Sequence, residues 1–110
     1  MSLDITFTSR SNVICPHCKK VVGTEDVYSV NSGGRSWYEF LEELGYYVPY
    51  EERTEENDWY GKDMVLTKKQ AEQMYAFLKR HTGVYNQEKI LGLIATTLFD
   101  ENMVVINADW

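Results

Sequence analysis

An α+β fold is predicted for this 110-residue chain: a small antiparallel sheet packed against three helices. Three observations lead there. Segments rich in β-branched and aromatic residues crowd the first thirty positions and recur at the end. Apolar stripes at helical spacing, opened by capping sequences, fill the middle. The order is therefore strands, then helices, then a strand, rather than the regular alternation of a parallel α/β sheet. At this length the chain forms a single domain, 1–110, with enough residues to bury a core without covalent staples.

Leu3-Asp4-Ile5-Thr6-Phe7-Thr8 alternates apolar and polar residues and reads as a half-buried strand. Val13-Ile14 and Val21-Val22 flank Cys15-Pro16-His17-Cys18, which places the cysteines at a hairpin tip. Val27-Tyr28-Ser29-Val30 reads as another strand, and Asn31-Ser32-Gly33-Gly34 as a loop. Ser36 with Glu39 forms a capping-box sequence ahead of Trp37, Phe40, Leu41 and Leu44, and Gly45 suits a C-terminal cap. From Tyr46 to Met64 no period emerges, and an irregular acidic segment is expected around Pro49. Thr67 with Gln70 makes a second capping box, followed by the stripe Ala71, Met74, Tyr75 and Leu78 and ended by Gly83. Asn86 opens a third helix that is apolar over most of its circumference, so it should be the most buried, through Ile90, Leu91, Ile94 and Leu98. Met103 to Ile106 suits a central strand.

Composition bounds the function. Aromatic residues reach 14% and charged residues 25%, a globular rather than a disordered balance. The apolar run from Ile90 to Phe99 is too short to span a bilayer. No basic region followed by an apolar run opens the chain, which suggests a cytoplasmic protein with reduced thiols. Net charge is −6. Between Trp37 and Tyr60 lie eight acids and one base, Arg53, so the rest of the chain sums to +1. Such a region repels phosphate backbones, and no nucleic-acid partner is expected. The same stretch holds eight of the fifteen aromatic residues. Tyr46, Tyr47, Tyr50, Trp59 and Tyr60 are thus candidates for a protein-binding patch, with the carboxylates as a steering rim. The competing account folds these rings back onto the first helix.

Cys15 and Cys18 are all the cysteine in the chain, and three readings compete. As zinc ligands they make half a site, because structural zinc takes four. His81 with a carboxylate, or a second protomer, would have to supply the rest. Lys19 also stands where knuckles of this kind often carry glycine. As a redox pair, C-P-H-C is similar to the motif of periplasmic disulfide oxidoreductases, but a strand-like segment follows it here where a helix is needed. The preferred account is structural: two thiols and a proline shape a turn. Zinc stays a candidate cofactor and no catalytic residue is assigned.

Leu3-Asp4-Ile5, the C-P-H-C sequence and the ending Ile106-Asn107-Ala108-Asp109-Trp110 together resemble a small family of bacteriophage and prophage proteins of uncharacterised function. The resemblance implies a bacterial cytoplasmic setting and an accessory phage role, and carries over no site residues. The expected function is accordingly protein–protein interaction rather than catalysis. A zinc-knuckle domain is one alternative, and an acidic DNA mimic built on Glu51 to Asp58 is another.

Overall fold

The computed structural model describes residues 3–81 and 83–110. The α+β reading holds. Four antiparallel strands form one sheet in the order β2-β1-β4-β3, where β1 is Asp4–Ile14, β2 Val21–Gly33, β3 Met64–Val65 and β4 Met103–Asp109. Three helices complete the fold: α1 Ser36–Leu44, α2 Lys68–Arg80 and α3 Gln87–Phe99. No helix among the described residues is long and apolar enough to cross a membrane.

The period-two pattern of β1 sends Leu3, Ile5 and Phe7 to one face of the sheet, where they meet Val104, Ile106 and Ala108 of β4. The opposite face of β1 is polar. Thr6 donates to Asn31 (3.0 Å), Thr8 pairs with Ser29 (3.2 Å), and Arg10 bridges Asp26 (2.7 Å) and Asp63 (3.1 Å). These cross-strand pairs set the register from the solvent side while the apolar residues set it from within. Asp63 also accepts from Asn107 (2.9 Å), and that bond, with the Arg10 guanidinium behind it, holds its carboxyl below the usual carboxylate range.

Helix α1 starts at Ser36, so Arg35 occupies the cap position and the expected Ser36–Glu39 box does not form. Gly45 does close the helix in the left-handed conformation, φ 80°. The Thr67–Gln70 box forms in both directions. Asn86 caps α3 by position only, its side chain donating instead to Asn31 O (2.7 Å). α3 packs across β1, β2 and β4 through Ile90, Leu93, Ile94 and Thr97, one residue each at i, i+3, i+4 and i+7. This rotates the helix from the expected face: Leu91 and Leu98 are only partly buried. Phe77, absent from the anticipated α2 stripe, is buried against Trp37 and Phe40.

Two boundaries differ from the sequence reading in a way that matters below. β1 continues without a break from Asp4 to Ile14. β2 runs through Gly23-Thr24-Glu25-Asp26 and on through Asn31-Ser32-Gly33, so the turn out of the strand begins only at Gly34. Gly33 is required there because a Cβ would stand 2.6 Å from Leu3 O.

Candidate functional site

β4 pairs with β1 only as far as Arg10–Met103, yet β1 and β2 stay paired to Ile14–Val21. The outer part of the hairpin is therefore a two-stranded arm that leaves the sheet. The molecule measures 49 × 33 × 22 Å. Its radius of gyration of 14.8 Å exceeds the about 13 Å expected of a compact chain of this length, as a protruding arm requires. A bulge at Val27, where the pairing steps from Ser9–Tyr28 to Arg10–Asp26, lies at the root of the arm. A second, at Val22, lies near the tip. Each extra residue reverses the alternation of β2 and sharpens its twist, so apolar side chains are distributed to both faces of the ribbon. The Arg10 bridges to Asp26 and Asp63 fasten the root.

From Asn12 to Ser29 every residue is exposed except Cys15, which is half-buried. Val13, Ile14, Val21, Val22, Val27 and Tyr28 lie among them, and Val22 is 64% accessible. Val27 and Tyr28 lie at the root, where Tyr28 still pairs within the sheet and both border α3, so the ribbon itself carries four large exposed apolar side chains, Val13, Ile14, Val21 and Val22. That is unusual: isolated two-stranded hairpins hold poorly in water, and contiguous exposed apolar surface marks an interaction site more often than a scaffold.

The tip is the cysteine turn expected from the sequence. Cys15 N–H donates to Lys20 O and Lys19 N–H to Cys15 O, each at 2.9 Å, closing the loop around Pro16-His17-Cys18. Lys19 has φ 60°, the left-handed region, which costs a residue with a Cβ about 1–2 kcal/mol. The backbone N–H groups of Cys18 and His17 point at the Cys15 sulfur, as does the Cys18 thiol, and these donors hold the Cys15 thiol below its ordinary pKa. Both cysteines are free. β2 follows them where a thioredoxin-type pair would need a helix. His81 lies at the end of α2 with its ring against Phe77, centroids 4.1 Å apart. Among the described residues no three His, Cys, Asp or Glu side chains stand close enough to share a metal ion. The cysteine sequence is thus complete as a turn and carries two free thiols, and among the described residues neither His81 nor a carboxylate joins them in a group that could hold a metal ion.

The aromatic patch divides. Tyr46 is fully buried and is not available to a partner: its hydroxyl donates to Lys62 O (2.6 Å) and accepts from Ala108 N–H (2.7 Å), and burial pushes its pKa up. Tyr47 and Trp59 are partly buried and pack with Tyr46 around Trp110, which stands 5.0 Å from Tyr47 and 6.1 Å from Tyr46. Tyr60 meets the same indole edge-on at 5.0 Å and stays about half accessible; only Tyr50, at 83%, stands clear. Arg53 lies over Trp110 (5.4 Å) and donates to Val48 O, so the one base of the acidic stretch serves the loop itself. The carboxylates of Glu51, Glu52, Glu55 and Glu56 face solvent. The patch is largely an edge of the main core, with Tyr47, Trp59 and Trp110 packed against it around buried Tyr46, and a row of exposed apolar side chains lies on the arm instead.

No family model, no curated protein and no solved structure matches this chain.

Proposed function

We propose that this chain is a small accessory protein, of the phage type its ends resemble, that works in a bacterial cytoplasm by binding another protein, and that the β1–β2 arm is its binding element. The single observation that carries this reading is the row of exposed apolar side chains on a ribbon with no layer over either face. Burying such side chains against a partner gains roughly 25 cal/mol per Å² of apolar surface. The tip is basic, through Lys19 and Lys20, while the chain as a whole is acidic, so the tip and the body present opposite charge to an approaching partner. Tyr50 and Tyr60 remain as a smaller second surface on the body.

Photo-crosslinking with a benzophenone amino acid, placed singly at Val22, Ile14, Tyr50 or Phe99, tests the assignment. Phe99 is 87% accessible and lies on the body, so it controls for exposure alone. Discrete protein adducts are expected from Val22 and Ile14 and none from Phe99. Adducts confined to Tyr50 would return the interface to the acidic aromatic segment. Competition by this chain for a basic DNA-binding protein, lost on neutralising Glu51 to Asp58, would favour DNA mimicry instead.

A further inference from the structure

The cysteine turn is built as a ligand pair and stops at two. Cys15 N–H to Lys20 O and Lys19 N–H to Cys15 O, each 2.9 Å, close the turn tightly and hold both free thiols on one short loop. Lys19 holds a left-handed backbone, so the turn keeps its shape although the residue is not glycine. The turn sits at the far end of an arm, and among the described residues no further His, Asp or Glu joins the two cysteines in a group that could hold a metal ion. A soft divalent ion held by two thiolates needs two more donors, and tetrahedral geometry with Zn–S of about 2.3 Å leaves a whole hemisphere for them.

We propose that Cys15 and Cys18 are half of a tetrathiolate zinc site, completed by the same two residues of a second copy of this chain. The proposal rests on the reading of the arm as an interface and names its occupant. A two-fold axis through the metal makes the contact self-complementary, which a two-ligand turn at the end of a protruding element satisfies without rearranging the body. Charge agrees. Zinc with four thiolates carries −2, and Lys19 and Lys20 of the two copies surround it with four ammonium groups. Apolar side chains stand directly behind the knuckle: Ile14 and Val21 are paired at the base of the turn, and Val22 and Val13 follow. Bringing two tips together buries these against their equivalents and excludes water from the sulfurs. On binding, each S–H is replaced by a S–Zn bond and its proton goes to solvent, so no oxidant or reductant takes part.

The test uses the full chain, reduced and stripped of metal, titrated with Zn²⁺ while its mass is followed by sedimentation velocity, and with Co²⁺ while its absorption is read. The expected result is a shift from one chain of 12.8 kDa to two, complete at one zinc per two chains, with cobalt giving the intense visible bands and sulfur charge-transfer absorption of a tetrahedral tetrathiolate. Cys15→Ser and Cys18→Ser should each abolish both changes. Tight zinc binding at one per chain with the mass unchanged would overturn the proposal, as would zinc-driven dimers that survive both serine variants, or no zinc binding at all. Failure here is separable from failure of the broader reading. Arm-specific crosslinks from Val22 that persist without zinc would leave the arm an interface for a different protein, whereas their absence both with and without zinc would remove the interface itself.

Discussion

Replacing Trp37 with alanine is expected to destabilise the protein by about 3–5 kcal/mol, the range for deleting a fully buried large aromatic side chain. Trp37 is 0% exposed and joins three parts of the chain. Its ring lies between Phe7 of β1 (5.0 Å) and Phe77 of α2 (5.6 Å). Its indole N–H donates to Ser32 Oγ (3.2 Å), and Ser32 in turn donates to Tyr85 O (2.6 Å) in the connection before α3. Alanine would leave a cavity at the junction of sheet and helices, along with a serine hydroxyl that has lost its donor. Urea titration should show a lower midpoint at an unchanged slope. A loss below about 1 kcal/mol would mean that the neighbouring rings collapse into the space, and that Trp37 does not join the layers.

Ile94→Ala is the second large effect, expected at about 2–5 kcal/mol. Ile94 is 0% exposed in the middle of α3, on the face that crosses β1, β2 and β4. Leu91→Ala, one turn earlier on a partly buried face, should cost clearly less. Equal losses at the two positions in the same titration would show that α3 is turned toward the face expected from its sequence rather than the one seen in the structure.

That comparison bears on what the sequence can reveal. Features written in a few adjacent residues were legible: the turn at Cys15–Cys18, the Gly45 cap, the Thr67–Gln70 box and the apolar character of α3. The orientation of α3 was not, because a helix apolar around most of its surface carries no single stripe, and its partners decide which side is buried. β3 was missed because it is two residues long and owes its conformation to pairing with Val105 and Ile106. Tyr46 and Tyr47 looked like surface candidates because the residue that covers them, Trp110, is more than sixty positions away.

The arm was legible at its tip and not along its length. Alternation of apolar and polar residues reports a strand with one face buried. A ribbon with water on both faces has no such constraint, and for that reason Val21-Val22 and Val27 to Val30 read as separate segments although β2 runs continuously through Gly23-Thr24-Glu25-Asp26. The same property makes the arm the functional candidate: its apolar residues are explained by nothing in the fold of this chain.

The account's central claim is that the arm is an element of recognition and not of folding, and the thermal unfolding of an arm-shortened chain tests it most directly. Ser11 and Glu25 are opposite each other in the register. Residues 12–24 can therefore be replaced by an Asn-Gly turn joining them, while Arg10 and its bridges are kept. No residue removed is fully buried. The melting temperature should stay within about 4 °C of the parent, which corresponds to less than about 1 kcal/mol for a domain of this size. A fall of roughly 10 °C or more would show that the arm supports the core, and would contradict its assignment as a surface held out for a partner.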